Sequence, residues 1–355
     1  ISSNTIFPGT TEEISEILQL ASRERWNVVP AGGMTWLKPQ TTVNLIVNTS
    51  RLNQIIEHEP ADLIAIAQAG VKLVDFNTKL KSNGQWLPLD PPDDGRATIG
   101  GVVATGSGGA QQFGYGRPRG SVIGMKVVMA DGSVIKAGGR VVKNVAGYDL
   151  CKLFTGSYGS LGVITEVNFK LRPRPAREAT VIATGSVRDL LPGARVILEA
   201  RLFPVAAEIV SPAFANRLGI TTNDAALLIR FAGNEKGVTY EIEEALARLR
   251  SAEIVSEDAQ LWQAVAAASF WSDSASCWRG SVLPSELLKF SEQMSEVQSS
   301  IWQMGALDGR IMMFDNNKGN TALFDRPNST ALSSLMQRVK QQLDPLNILP
   351  QINAD

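Results

Sequence analysis

The sequence predicts an α+β protein with two domains. Short strands alternate with amphipathic helices up to residues 171–175, where proline stands on both sides of arginine. Proline donates no backbone hydrogen bond and restricts the residue before it, so this stretch predicts an exposed connector. The short strands and helices that follow are typical of an antiparallel sheet covered on one face by helices. We therefore expect a first domain over residues 1–175 and a second over residues 176–355.

The first domain opens with a helix predicted over residues 10–26. Thr10 or Thr11 can cap it, Glu12 and Glu13 suit its positive end, and apolar residues recur at helical spacing. The following pattern predicts strands 28–30, 45–47 and 63–70, a helix over 72–83, and a hairpin of strands 122–129 and 134–137.

The second domain is predicted to contain further strands and helices of similar length. The pattern indicates strands 179–184, 207–210, 225–231 and 253–255, with helices 187–198 and 240–249. Two later strands, 278–284 and 309–314, are predicted to enclose a helix over 285–302, and the last helix is predicted over 329–343.

Composition excludes several classes of function. The 355 residues are 44% hydrophobic and 19% charged, which is ample for two hydrophobic cores. The formal net charge of −1 provides no attraction to nucleic acid or an anionic membrane, so we expect neither as a partner. No apolar run approaches the roughly 20 residues that span a bilayer, so no direct membrane span is expected.

The cysteine count excludes two further kinds of site. Cys151 and Cys277 are the only cysteines, too few for an iron–sulfur centre or a disulfide framework in this chain, and they suit a reducing compartment. The chain begins at Ile1 rather than Met, and we expect that an N-terminal segment has been removed.

Glycine is concentrated in three segments that adjoin apolar runs and are predicted to be loops: residues 31–35, 100–109 and 156–162. Without a side chain, glycine lets backbone amides approach an anionic or flat ligand. The Rossmann pattern G-x-G-x-x-G fails at Gln111, and no glycine of these segments precedes the Lys that a P-loop requires. The sequence therefore favours a large cofactor, with a diphosphate at the first segment, over NAD binding or phosphoryl transfer.

Four motifs in order carry a family resemblance. They are Ala31-Gly32-Gly33-x-Thr35, Ala97-Thr98-Ile99-Gly100-Gly101, Val142-Lys143-Asn144-Val145-Ala146-Gly147-Tyr148-Asp149-Leu150, and Gly156-Ser157-x-Gly159-x-Leu161-Gly162-Val163-Ile164-Thr165-Glu166. They resemble the vanillyl-alcohol oxidase/p-cresol methylhydroxylase (PCMH-type) FAD-binding family, and within it the FAD-binding subunits of glycolate oxidases. The resemblance implies a flavin domain of two α/β subdomains and an antiparallel-sheet α+β cap, with the C-terminal segment returning to the flavin domain.

The resemblance also implies which residues bind FAD. Residues 31–35 would hold the diphosphate, residues 100–109 would line the flavin and ribityl chain, and residues 162–165 would offer backbone groups. The implied cofactor residues are Ala31, Gly32, Gly33, Met34, Thr35, Thr98, Ile99, Gly100, Gly101, Ala104, Thr105, Gly106, Gly108, Gly109, Gly162, Val163, Ile164 and Thr165. The first segment contains neither His nor Cys, so we expect non-covalent FAD.

Catalytic residues are harder to assign. Oxidation of a 2-hydroxy acid needs a base for the hydroxyl proton and a cation for the carboxylate. Related catalytic subunits are expected to use histidines and a metal, whereas this chain has only His58, on a predicted edge segment, so no two-histidine metal site is expected. The candidates are Tyr148 and the cap-strand residues Arg279 and Arg310, with Arg230 on another such strand.

A polar cluster beside the third glycine segment has two interpretations. Lys143, Asn144, Tyr148 and Asp149 lie between apolar segments and would either organise the flavin pocket or anchor a turn.

The resemblance implies an FAD-dependent subunit of a complex that oxidises glycolate or D-lactate. Its expected partners are a homologous catalytic flavoprotein subunit, an iron–sulfur subunit and the small 2-hydroxy acid. Its expected location is cytoplasmic, or membrane-associated through partner subunits. An alternative is a flavin-binding assembly or electron-relay subunit without substrate turnover of its own. A third is a stand-alone oxidase of another alcohol, with Tyr148 or a carboxylate as base.

Overall fold

The computed structural model describes residues 4–35, 43–139, 148–267, 276–295, 301–315 and 330–351. The chain divides into two compact units. The first unit comprises Ile1–Gly108, Gly116–Arg174 and Pro327–Asp355, and the second comprises Gly109–Tyr115 and Pro175–Arg326.

The helices and strands have the following bounds. The helices are α1 (Thr11–Glu24), α2 (Leu73–Lys81), α3 (Ile99–Thr105), α4 (Gln112–Tyr115), α5 (Pro118–Ser121), α6 (Leu150–Phe154), α7 (Val187–Glu199), α8 (Pro212–Arg217), α9 (Glu235–Arg248), α10 (Ala259–Ala267), α11 (Leu287–Ser295) and α12 (Thr330–Leu343). The strands are β1 (Asn4–Ile6), β2 (Val28–Ala31), β3 (Leu45–Asn48), β4 (Ile55–Glu59), β5 (Ile64–Gln68), β6 (Gln85–Trp86), β7 (Val122–Val128), β8 (Val134–Gly138), β9 (Val163–Lys170), β10 (Arg172–Pro173), β11 (Arg177–Gly185), β12 (Ala206–Val210), β13 (Ala225–Gly233), β14 (Ala252–Val255), β15 (Ser276–Ser281), β16 (Ile301–Gly305) and β17 (Arg310–Asp315).

The first unit contains a small parallel sheet in the order β1-β3-β2, and α1 packs beside it. Thr10 caps α1 as predicted, because its hydroxyl oxygen accepts a hydrogen bond from the Glu13 amide at 3.0 Å. Ile14 and Leu18 recur on one face of α1 and are fully buried with β2 and β3. This packing fixes β2, whose end leads into the first glycine segment.

The first unit also contains an antiparallel sheet in the order β4-β5-β9-β7-β8. The predicted hairpin is confirmed as β7 and β8, with Gly132 in the turn at a φ of +82° that favours glycine. The predicted helix 72–83 is confirmed as α2, which buries Leu73, Phe76 and Leu80 against this sheet.

The second unit is built on a seven-stranded antiparallel sheet in the order β14-β11-β13-β12-β16-β17-β15. Successive side chains of a strand point to opposite faces. On β12, Ala207 and Ile209 therefore pack with α7, α9 and α11, whereas Ala206 and Val210 pack with α8 and α10. Helices lie on both faces, so the prediction of one helix-covered face is wrong.

Two element predictions are also corrected. The predicted helix 285–302 is too long, because α11 ends at Ser295 and Trp302 lies in β16. In β16 the buried Trp302 and Met304 share a face with Gln303 between them, which is strand periodicity. Residues 100–109 are not loop throughout, because Gly100 and Gly101 lie in α3, where Val102 and Val103 are buried and Thr98 supplies the cap.

The Cys151 thiol yields a first prediction. Burial in α6, together with the nearby Asp149 carboxylate, raises its pKa to about 11, so only about one molecule in a thousand is a thiolate at pH 8. In a Cys277→Ser background we expect a disulfide reagent at pH 8 to modify native Cys151 at least about 100-fold more slowly than the unfolded chain. Absorbance of the released thiolate measures both rates, and rapid labelling of the native chain would contradict this burial.

Candidate functional site

The first glycine segment is held at the end of β2 by neighbouring polar side chains. Asn48 donates its side-chain amide to the Gly32 carbonyl oxygen at 3.2 Å, and Thr49 donates its hydroxyl to the Ala31 carbonyl oxygen at 3.2 Å. A Cβ atom on Gly32 would collide with the Thr98 hydroxyl oxygen, and one on Gly33 would collide with the Arg96 carbonyl oxygen. The segment therefore lies directly against residues 96–98, and glycine is required at both positions.

The second segment is the short helix α3 and the turn after it. Thr98 caps α3 by accepting a hydrogen bond from the Gly101 amide at 3.3 Å. A Cβ atom on Gly100 would lie 2.6 Å from the Ala69 Cβ, so this helix also needs glycine for a close approach. Gly106 ends α3 in the left-handed region, with a φ of +61°.

The third segment is a tight turn that contacts the second segment and the strand that leads into the first. The Gly156 amide donates to the Val103 carbonyl oxygen at 3.0 Å, and the Tyr158 amide donates to the Ala104 carbonyl oxygen at 2.7 Å. A Cβ atom on Gly159 would lie 3.0 Å from the Cγ of Pro30, in β2. The structure thus brings together the three glycine segments that the sequence singled out.

A buried hydroxyl group without a hydrogen-bond partner at this junction fits an anionic, polar cofactor. The Ser157 hydroxyl oxygen is buried and has no hydrogen-bond partner within the described part of the chain. A hydroxyl buried in this way is costly unless a ligand completes its bonding. Gly156 at the same turn has a φ of +82°, and no atom lies within 4 Å of where its Cβ would stand. These features suit FAD, whose oxygens and nitrogens accept and donate hydrogen bonds.

The remaining predicted cofactor residues lie partly in or beside β9 and partly where the two units meet in sequence. Gly162 contacts Val127 too closely to carry a side chain, and Val163, Ile164 and Thr165 lie inside β9, which pairs with strands on both sides. The Thr165 carbonyl oxygen already accepts from the Ala69 amide at 2.9 Å. Gly108 belongs to the first unit, whereas Gly109 belongs to the second.

The predicted polar cluster is only partly described. Lys143 and Asn144 lie outside the described residues. Asp149 anchors a turn, because its carboxylate accepts from the Lys152 amide at 3.3 Å at the start of α6. Tyr148 is 95% exposed, so it does not line an enclosed pocket among the described residues.

Arg310, a predicted carboxylate ligand, is engaged with carboxylates of its own chain. It forms ion pairs with the buried Glu208 and, at 2.7 Å, with Asp308. Gly305 lies beside this group, and a Cβ atom there would collide with the Asp308 carboxylate. The side-chain amide of Gln112 donates to the same carboxylate at 3.4 Å.

Arg230 is likewise engaged, in a cluster that sequence reasoning missed. Its guanidinium donates two hydrogen bonds to Asp258, at 2.9 and 2.8 Å, and lies 3.2 Å from Glu178. Thr180 donates to Asp258 at 2.7 Å and accepts from the Trp262 indole at 2.8 Å. Asp258 lies 28 residues from Arg230 in sequence, so no local pattern reveals the pair.

The remaining candidates are Arg279 and His58. Arg279 pairs in register with Met312, which also pairs with Gln303, so the three residues share one face of the sheet. His58 lies on the edge strand β4 as predicted, and its Nε2 is 2.9 Å from the Gln85 side-chain oxygen.

Within the described ranges, no three His, Cys, Asp or Glu residues are grouped to hold a metal ion. No described helix is long and apolar enough to cross a bilayer.

Cavities of about 360 Å³ and 300 Å³ lie in the second unit, and neither is lined by a predicted cofactor or catalytic residue.

Ser157→Ala tests the cofactor contact inferred from the buried hydroxyl. The change removes an unsatisfied buried group, so we expect the apo protein to melt at the same or a higher temperature. We expect FAD to bind about fivefold more weakly, because a hydrogen bond of about 1 kcal/mol is lost. Fluorescence titration measures the affinity and calorimetry the stability.

The matched control is Ser291→Ala, because that hydroxyl donates to the Leu288 carbonyl oxygen at 2.7 Å in the second unit. We expect it to lower stability and leave FAD affinity unchanged. Unchanged FAD affinity in Ser157→Ala would show that the hydroxyl does not contact the cofactor.

Comparison with known proteins shows which family the chain resembles. A family model described as an FAD binding domain matches residues 3–138. The chain is 33% identical over 326 residues to the glycolate oxidase subunit GlcE of Escherichia coli (strain K12), an alignment that covers 88% of this chain and 87% of that protein. It is 35% identical over 263 residues to the glycolate oxidase subunit GlcD of Bacillus subtilis (strain 168), covering 71% of this chain and 56% of that protein.

Two further similarities extend the comparison. The mitochondrial D-2-hydroxyglutarate dehydrogenase of Arabidopsis thaliana is 34% identical over 199 residues, covering 55% of this chain and 35% of that protein. A solved structure of alkyldihydroxyacetonephosphate synthase matches with a TM-score of 0.73 at 17% identity, covering 97% of this chain and 76% of that chain, which shows a shared fold. With the FAD binding domain matched over residues 3–138 and 87% of GlcE aligned, the chain belongs to the PCMH-type family of FAD-binding flavoproteins.

Proposed function

We propose that this chain is the FAD-binding subunit of a complex that oxidises a small 2-hydroxy acid, glycolate or D-lactate. The observation that carries the proposal is the convergence of the three glycine segments, in a chain similar over 88% of its length to the glycolate oxidase subunit GlcE. When bound, FAD would accept the two electrons released as the hydroxyl-bearing carbon becomes a carbonyl.

The residues of the first unit have distinct parts in this proposal. The backbone of residues 31–35 would hold the diphosphate, as backbone amides of glycine turns bind anions. The Ser157 hydroxyl and the turn after α3 would contact the rest of the cofactor. No cysteine or histidine stands in residues 31–35, which supports non-covalent binding. Acid precipitation that leaves all flavin in solution would verify this mode.

A second candidate function is assembly or electron relay without turnover of substrate by this chain. It is favoured by the pairing of two candidate arginines with the chain's own carboxylates, Arg310 with Glu208 and Arg230 with Asp258. A guanidinium neutralised in this way has little remaining attraction for a substrate carboxylate. In this arrangement the catalytic base and the substrate cation would belong to another polypeptide.

The proposed partners follow from the same reasoning. A homologous flavoprotein subunit would supply the catalytic histidines that this chain lacks, since His58 is its only histidine. An iron–sulfur subunit would accept the electrons, because two cysteines cannot ligate a cluster here. Any association with a membrane would run through these partners.

Anaerobic stopped-flow absorbance separates the two functions. The FAD-loaded chain is mixed with glycolate or D-lactate, alone and then with its co-expressed partners. Bleaching of the flavin band in the isolated chain would establish a complete active site and contradict the relay function. Bleaching in the assembled complex alone would support relay or assembly, and no bleaching in either would contradict both.

A matched pair of variants then tests Arg279, the third candidate arginine. If the isolated chain turns over substrate, Arg279→Met should raise the half-saturating substrate concentration at least about tenfold, the cost of losing a charge-assisted bond. Arg248→Met is the control, because Arg248 pairs only with Glu244 on α9 among the described residues. Equal kinetics in both variants would exclude Arg279 from substrate binding.

A further inference from the structure

A buried ion pair joins the C-terminal helix to the segment that follows it. Lys340, in α12, is 5% exposed and Asp344 is 1% exposed. Their side chains form a salt bridge within one helical turn. Burial lowers the pKa of Lys340, and the carboxylate of Asp344 opposes that shift. The ammonium group is therefore costly to bury. Its other hydrogen bonds identify the segments that it holds in place.

One of those contacts is the third glycine segment. The Lys340 ammonium donates to the Ser160 carbonyl oxygen at 2.8 Å, across 180 residues of sequence. Ser160 in turn closes the turn, because its amide and its hydroxyl both donate to the Ser157 carbonyl oxygen, at 3.0 and 2.6 Å. The ammonium thus holds the turn that carries the unsatisfied Ser157 hydroxyl.

The pair also reaches the strand that leads into the first glycine segment. Lys340 donates to the Leu349 carbonyl oxygen at 3.1 Å, and Asp344 accepts from the amides of Ile348 and Leu349 at 3.0 and 2.9 Å. The Ile348 carbonyl oxygen accepts from the Val28 amide, the first of β2, at 2.7 Å. The same pair therefore fixes a segment bonded to β2, whose last residue is Ala31.

We propose that Lys340 is a positioning residue of the FAD site, whose ammonium, paired with Asp344, sets the third glycine segment and the β2 strand at the spacing that FAD requires. Gly159 and Pro30 are in contact and belong to the same two segments. The ion pair and this contact therefore both set the distance between the third glycine segment and β2. The proposal rests on FAD binding alone and would survive a failure of the proposed substrate or partners.

The chemistry of the pair supports positioning over simple stabilisation. Replacing a buried ion pair by apolar residues of similar volume is often neutral or stabilising for a fold. Directed hydrogen bonds to the carbonyl oxygens of Ser160 and Leu349, however, can be made only by a donor at this place. An apolar replacement would thus keep the fold and release the two segments.

The test uses the full chain with FAD as the probe. Lys340→Met and the double variant Lys340→Met/Asp344→Leu are compared with the parent, well below their melting temperatures. We expect the FAD dissociation constant to rise at least about tenfold in each folded variant, with a changed flavin absorption band and a faster release of FAD. A dissociation constant within about twofold of the parent's in a folded variant would overturn the proposal.

The control distinguishes positioning from loss of stability. Leu80→Ala removes a fully buried side chain of α2 and leaves the bonds of Lys340 and Asp344 in place. We expect it to lower the melting temperature and keep the parent's FAD affinity. Equal weakening of FAD in this control would overturn the proposal, as would failure of both Lys340 variants to fold, since the pair would then serve the fold as a whole.

Discussion

The first unit depends on backbone contacts that only glycine permits. Gly32 lies against Thr98, Gly100 against Ala69, and Gly106 would place a Cβ 3.1 Å from the Cα of Gly156. A methyl group at these positions would force the segments apart, at a cost of about 1–3 kcal/mol each. Because the segments meet here, their backbone polar groups can serve a single extended ligand. Glycine at these positions therefore allows the segments of the candidate cofactor site to lie together.

The sequence predicted the elements whose signals are local. Thr10 with Glu12 and Glu13 marks the start of α1, and the turn at Gly132 marks the hairpin. It failed where tertiary packing overrides local preference. The glycines of α3 suggested a loop, but burial of Val102 and Val103 and the Thr98 cap hold a helix there. The alternating pattern at Trp302 and Met304 is too short to predict a strand, so the helix was predicted to run over residues 285–302.

The candidate site also has features that the sequence predicted and features that it did not. The glycine segments were found from sequence because a run of glycines next to apolar residues is a local feature. The partners of Arg310 and Lys340 were not, because Arg310 and Glu208 are 102 residues apart and Lys340 and Ser160 are 180 apart. Such pairs depend on sheet register and on the path of the C-terminal segment. The sequence therefore predicts a candidate FAD site more clearly than it predicts what this chain does with a substrate.

Equilibrium titration of the apo chain with FAD, FMN and riboflavin tests most directly whether the three segments form one FAD site. The diphosphate, which is proposed to bind at residues 31–35, distinguishes FAD from the two shorter flavins. We predict one FAD per chain, bound at least about 100-fold more tightly than riboflavin, a difference of about 3 kcal/mol. Equal affinity for FAD and riboflavin would show that the first glycine segment binds no diphosphate, and would contradict the convergence of the three segments on a single cofactor.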